Sequence, residues 1–253
     1  MSRILLACDL DNTLIHSYKH KREGDICVEL LHGREQGFMS KRVYDKLADL
    51  PEGVELVPLT TRSVEQFERI ELPGGCYRRA ITTNGALLFE DGIANSSWKE
   101  KNLCYASELM PLMKYLYSEL SGDPLLNVVR IVDEMYLYIS CADAEDVDGF
   151  LERYNNVEEL DVMASGRKIY FLPPKINKGK ALKRLTENEE LSLVAAAGDS
   201  TIDLPMLEIA DHAIIPEALE PLLKNPNRSV FRGESDFAEF VIKDMADLLK
   251  ASR

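Results

Sequence analysis

The chain has 253 residues, 45% of them apolar and 8% aromatic, and its 43 acidic against 30 basic side chains leave a formal charge of −13. This composition excludes a disordered or fibrous protein, and the length exceeds what one small core organises, so a large α/β core or a core with an inserted domain is expected. A pI near 4.9 argues against nucleic-acid and membrane partners, because the average surface field repels phosphate, yet a small anion can still bind at a local cluster of donors.

The first apolar stretch, Ile4 to Cys8, is cut short by Asp9 and Asp11, too soon for a signal-peptide core, and no span approaches membrane length. Five scattered cysteines (Cys8, Cys27, Cys76, Cys104, Cys141) contain no Cys-x-x-Cys pair, and His16, His20, His32 and His212 form no His-x-x-x-His pair. A disulfide framework and a zinc site are therefore not expected, and the reading is a cytoplasmic protein.

In chain order, Ile4 to Cys8 reads as a buried strand, followed by a long polar loop from Tyr18 to Gly37 that reads as a surface hairpin, with folding over the site as the alternative. A helix over Ser40 to Asp49, a strand over Val54 to Leu59, a helix over Ser63 to Ile70 opened by a Ser63/Gln66 capping box, and a strand over Ala80 to Thr83 follow. From Ala86 the texture changes to a helical pattern at Tyr105 to Leu120, strands at Leu126 to Val132 and Met135 to Ser140, a helix at Ala144 to Tyr154, and strands at Glu159 to Ala164 and Lys168 to Leu172. Asp133-Glu134 and Ser165-Gly166 fall where hairpin turns are needed, Ser165-Gly166 being the stronger signal because of its glycine. Pro173-Pro174 closes this unit. The remainder alternates again: helices at Lys178 to Glu187, Leu204 to Ala210, Glu217 to Leu223 and Asp236 to Ala251, with strands at Leu193 to Ala197, Ala213 to Ile215 and Ser229 to Phe231. The expected fold is a Rossmann-like doubly wound parallel sheet, residues 1–85 and 176–253, with an α+β cap over residues 86–175.

Four segments carry chemistry. Asp9 and Asp11 leave a buried strand two residues apart, at the sheet edge where open α/β folds bind ligands. Their mutual repulsion calls for a cation or a shared proton. Asp199 and Asp203 flank the entrance of a helix after another apolar strand, which makes the four carboxylates an oxygen-rich set suited to Mg²⁺. Thr60-Thr61-Arg62 and Lys178 lie at helix starts, where a hydroxyl, free amides and an ammonium are what a phosphate needs. Each segment taken alone also fits ordinary capping or a solvated turn.

Together the motifs Asp9-x-Asp11-x-Thr13, Thr60, Lys178 and Gly198-Asp199-x-x-x-Asp203 resemble the four signature motifs of the haloacid dehalogenase superfamily. The insert between the second and third motifs, preceded by Asn84-Gly85-Ala86, is similar to the large-cap branch of Cof-type and sucrose-phosphate phosphatases. The resemblance implies a Mg²⁺-dependent phosphatase of a small phosphorylated metabolite, a sugar phosphate, acting through an aspartyl-phosphate. Asp9 would be the nucleophile, Asp11 the acid/base and Thr60 and Lys178 the phosphate ligands, with Asp9, Asp11 (through its carbonyl), Asp199 and Asp203 at the metal. A phosphomutase and a silent binding or regulatory protein of the same fold are the alternatives. Two departures stand out: Asn12 and Thr61 occupy places where many relatives have glycine, and Thr61 either narrows the phosphate pocket or replaces Thr60 as ligand. Substrate choice is expected from Thr61, Arg62 and Asn84 and from the cap residues Arg130, Tyr136, Arg167 and Lys168. Oligomeric state is not legible in the sequence.

Overall fold

The computed structural model describes residues 3–233 and 236–251. Its centre is a five-stranded parallel sheet in the order Arg228–Phe231, His212–Pro216, Leu193–Ala197, Ile4–Cys8, Val54–Pro58. Ile4–Cys8 is an interior strand, paired on both sides, and fully buried. Leu6 and Cys8 face one apolar cluster, Leu5 and Ala7 the other, which is why this strand is uninterruptedly apolar. Helices Lys41–Ala48 and Phe237–Ala251 cover the first face, and Lys178–Thr186 with Leu204–Ile209 cover the second, giving the doubly wound arrangement. The segment from Tyr77 to Thr82 meets the sheet through isolated parallel bridges, Leu56 to Tyr77 and Leu59 to Ile81, and its strand Arg79–Thr82 pairs antiparallel with Leu87–Glu90.

Residues between the second and third motifs form a four-stranded antiparallel sheet, in the order Asp161–Ser165, Lys168–Leu172, Tyr136–Cys141, Leu126–Val132. It packs on helices Ser96–Leu120 and Asp146–Tyr154 around a separate apolar cluster. The first of these helices begins nine residues before the expected start at Tyr105, because the Asn95 side chain caps the Trp98 amide at 2.9 Å. Its polar opening conceals two anchors: Trp98 Nε1 donates to the Gly85 carbonyl at 3.1 Å, and Asn102 Nδ2 to the Ala86 carbonyl at 2.7 Å.

Other elements differ from expectation for local reasons. The Ser63 capping box is present, with both reciprocal bonds, but the helix it opens spans only Val64–Phe67. Glu217–Leu219 is a single 3₁₀ turn instead of a helix to Leu223. Asp133 and Glu134 both adopt left-handed geometry, at φ 46° and 62°, as a type I′ turn requires. This glycine-free turn is held by contacts to the core described below.

Two glycines mark approaches that no side chain permits. The helix Lys178–Thr186 lies so close to the start of Leu204–Ile209 that a Cβ on Gly179 would sit 2.1 Å from the Pro205 carbonyl oxygen. A Cβ on Gly198 would lie 2.5 Å from the Asp203 Cβ. Gly179→Ala therefore forces backbone apart, and a loss of about 3 kcal/mol or more is expected in urea denaturation, at the upper end of overpacking costs. A loss below roughly 1 kcal/mol would show that the two helices can separate freely.

Candidate active site

The strand register determines which residues meet. Cys8 lies opposite both Ala197 and Pro58, so the chain leaves three neighbouring strands at one level and presents Asp9, Gly198-Asp199 and Leu59-Thr60 at the same sheet edge. Asp9 N–H continues the ladder to the Ala197 carbonyl at 2.9 Å, which fixes its Cα. Beyond it, the amides of Leu14 and Ile15 donate back to the Leu10 carbonyl at 2.9 and 2.8 Å, closing a tight loop with Asn12 at φ 59°. Asparagine tolerates that conformation better than most residues. Its side chain favours the ionised form of the Asp199 carboxyl.

Lys178 is completely buried, and its ammonium donates to Asp9 Oδ1 at 2.5 Å and to Asp203 Oδ1 at 2.6 Å. The other Asp203 oxygen accepts from the amides of Asp199 and Ser200, at 3.2 and 3.0 Å, and from the Ser200 hydroxyl at 3.1 Å. Asp203 is thus a saturated acceptor that fixes both the lysine and the loop carrying Asp199. One carboxylate oxygen from each of Asp9, Asp199 and Asp203 lies within 4.8 Å of the others.

These charges do not balance. Burial pushes the Asp9 carboxyl well up, and Asp203, Asp199 and Asp11 add to the push while Lys178 opposes it. Asp199 is pushed up to about 7 by burial and then by Asp203, against the pull of Lys178 and Asn12. Burial also disfavours the Lys178 ammonium, but Asp203 and Asp9 outweigh it and keep the lysine protonated. One ammonium among three carboxylates, two of them buried and Asp199 half-buried, leaves a deficit of positive charge, and the donor set is all oxygen, which fits a hard divalent cation held by Asp9 and Asp199 with Asp203 behind them.

Beside this cluster opens a cavity of about 240 Å³ into which Asp11, Thr61, Arg62, Arg130, Tyr136 and Lys168 all project. Arg62 grips Asp11 with two bonds, 2.9 and 2.8 Å, and reaches Glu29 at 2.8 Å. Burial alone would raise the Asp11 carboxyl, but Arg62 more than compensates and holds it below the usual range. Thr60 is fully buried, its hydroxyl oxygen accepting from the Arg62 amide at 3.1 Å, whereas the Thr61 carbonyl accepts from the Tyr136 hydroxyl at 2.8 Å. Asn84 lies beneath the site at φ 57°, fully buried, its amide N–H donating to the Thr60 carbonyl at 2.9 Å and neither side-chain polar atom paired. Arg167 stands apart: its guanidinium donates to the Ala142 carbonyl at 2.6 Å and it does not line the cavity.

The segment from Tyr18 to Gly37 is indeed a hairpin, Ile26–Leu31 with Arg34–Met39, but it also walls the cavity through Tyr18, Glu29, Leu31, Gln36 and Gly37. Glu29 was not legible as a site residue: it is buried, and its partners Arg62 and Arg69 come from a segment more than thirty residues away. The sequence marks Asp133 only as a turn residue. Its carboxylate accepts from the Thr83 hydroxyl at 2.5 Å and the Val64 amide at 3.1 Å, tying the insert's hairpin tip to the core beside the cavity.

The sequence pattern of haloacid dehalogenase-like hydrolases matches residues 117–231. No curated protein matches the sequence. Among solved structures, the sucrose-phosphatase of Synechocystis sp. PCC6803, in complex with sucrose and phosphate, is similar over 98% of this chain and 99% of its own, with 17% identity and a TM-score of 0.66. A haloacid dehalogenase-like hydrolase from B. subtilis is similar over 96% and 99%, with 20% identity and a TM-score of 0.57. A trehalose-6-phosphate phosphatase related protein is similar over 99% and 100%, with 16% identity and a TM-score of 0.59. The sequence pattern covers less than half of the chain, and the likeness to these structures is one of fold: a parallel α/β core with an α/β insert over nearly the whole chain. No helix among the described residues is long and apolar enough to cross a membrane.

Because the Asp199 carboxyl is raised to about 7, a cation that binds there displaces protons at acidic pH. Mg²⁺ titrations at about pH 6 in buffers of different ionisation enthalpy should show proton release that fades above about pH 8, with affinity rising over the same interval. PH-independent affinity with no proton release would detach the cation from these carboxylates.

Proposed function

We propose that the protein is a Mg²⁺-dependent phosphatase that hydrolyses a small phosphorylated metabolite, a sugar phosphate, through an aspartyl-phosphate. The observation that carries this reading is the convergence of Asp9, Asp199, Asp203 and Lys178 at one sheet edge, opening on a cavity lined by Asp11. The family match and the sugar phosphatases among the similar folds support it.

Asp9 attacks phosphorus and the ester oxygen leaves with a proton from Asp11. Water then attacks the aspartyl-phosphate, giving its proton to Asp11 and releasing Asp9. Asp9, the Asp11 carbonyl and Asp199 would hold Mg²⁺, which when bound would neutralise charge that the carboxylates and the phosphoryl group bring together. Lys178 and the Thr60 hydroxyl stabilise the phosphoryl oxygens as charge spreads over them. Asp11 is anionic while Arg62 holds it, the state that accepts a proton from water; its donation to the leaving group requires that this pair open.

A screen of phosphorylated metabolites with Mg²⁺, reading released phosphate, tests the reaction, and turnover by a mutase would give an isomerised ester instead. Asp9→Asn should fold and lose turnover to background. Asp11→Asn should slow turnover by about 10²-fold or more while binding Mg²⁺ normally. Asp199→Ala should weaken Mg²⁺ activation, read as a raised half-saturating concentration. Full turnover in excess chelator would overturn the metal-dependent mechanism.

A further inference from the structure

The cavity beside Asp11 has an excess of hydrogen-bond donors. Four cations line it, Arg62, Arg69, Arg130 and Lys168, against two carboxylates, Asp11 and Glu29. Both carboxylates are already engaged: Asp11 is gripped by Arg62, and Glu29 takes Arg62 at 2.8 Å and Arg69 at 3.3 Å. Arg130 and Lys168 have no ion-pair partner among the described residues. The Arg130 Nε is buried and unpaired, while its guanidinium lies 5.4 Å from the centre of the Tyr138 ring. Lys168 sits within electrostatic reach of Asp11 and stays exposed.

The two cations come from different strands of the insert's sheet. Arg130 pairs in register with Tyr138, and Tyr138 with Tyr170, so Arg130, Tyr138 and Tyr170 form a row across three neighbouring strands. Lys168 lies two residues from Tyr170 on the same face of its strand, which brings its ammonium to the same wall. Tyr136, one step along from Tyr138 on the same face, is tied to the Thr61 carbonyl, so the wall is braced against the core.

Guanidinium and ammonium groups donate and cannot accept. The hydroxyls of a neutral sugar are best met by acceptors as well as donors, and the two carboxylate acceptors in this cavity are occupied by arginine. Unpaired donors beside the reacting carboxylates are complementary to an acceptor-only group instead. We infer that the leaving group of the substrate carries a second anionic substituent, a carboxylate or a further phosphate, bound by Arg130 and Lys168. This rests on the phosphatase reading above and narrows it from phosphorylated metabolites in general to those with two anionic ends. Arg130 and Lys168 are then specificity residues that contact the substrate's far end and take no part in proton or phosphoryl transfer.

Three esters of matched size test the inference with the full chain and Mg²⁺: a hexose 6-phosphate, the corresponding 6-phosphoaldonate and the hexose 1,6-bisphosphate. One of the two doubly anionic esters should exceed the neutral-ended ester by at least tenfold in kcat/KM, and which one identifies the substituent. Arg130→Met and Lys168→Met should each erode that ratio at least fivefold, chiefly through KM, and Lys168→Arg should restore it more fully than Lys168→Gln. Binding of the three corresponding phosphonates, whose methylene link cannot be hydrolysed, should follow the same order by calorimetry. Equal or better turnover of the neutral-ended ester overturns the inference and leaves the phosphatase reading intact. Selective binding of the anionic phosphonates without hydrolysis of any ester supports the inference and overturns the phosphatase reading. Equal binding of all three phosphonates overturns the inference whatever the turnover.

Discussion

A fully buried ammonium between two carboxylates is expensive to assemble, because each charge gives up its hydration and recovers it only if every partner is in place. Lys178, Asp9 and Asp203 meet that condition through backbone that has nothing to spare. Asp9 is held by the sheet ladder, Asp203 by two loop amides and a hydroxyl, and Lys178 by a helix whose second residue must be glycine to approach Pro205. The central sheet, the two helices on its second face and the loop after Leu193–Ala197 all meet at this one ion cluster. Removing the lysine leaves carboxylates facing one another, so its place in the structure is as electrostatic as it is chemical.

A second charged group surrounds the first without touching it. Glu29 and Arg62 form with Asp11 a bridge across the cavity mouth, contributed by the hairpin after the first motif and the turn after the second strand. Gly37 on that hairpin lies against Glu29, so that an added Cβ would meet the Glu29 Cβ at 3.0 Å. The hairpin's backbone therefore aims Glu29, Glu29 aims Arg62, and Arg62 determines the charge state in which Asp11 waits. The insert lines the remaining side of the cavity through tyrosines and two cations that have no ion-pair partner among the described residues.

The parts of this arrangement visible in the sequence are those carried by short local rules. An all-apolar strand ending in a carboxylate, a capped helix after a strand and a glycine before Asp199 each announce themselves within ten residues, and the register of a parallel sheet then brings them together. The parallel sheet and the antiparallel insert were legible for the same reason. What escaped depends on distance. Glu29 sits in a polar loop pattern and becomes a site residue only when Arg62 arrives from another strand. The Asp133-Glu134 turn lacks glycine because contacts to Thr83 and Val64 hold its left-handed backbone, and no local propensity encodes that. The long helix of the insert starts early for a similar reason: Trp98 and Asn102 answer carbonyls of Gly85 and Ala86, so polar residues that read as loop are anchors.

The concentration of cations in the cavity has a kinetic side that follows from the chain's formal charge of −13. At distances beyond the protein's own radius a multiply charged anion meets a repulsive field, and it feels the attraction of Arg130 and Lys168 only within about a Debye length of the mouth, roughly 8 Å at physiological ionic strength. Encounter and capture therefore respond to salt in opposite senses: dissolved ions screen the outer repulsion and speed arrival, while they weaken the short-range hold once the ligand is inside. An acidic surface around a basic cavity thus acts as a filter on residence more than on arrival. On the inferred recognition, anions that lack a second charged end meet less repulsion on arrival and leave sooner.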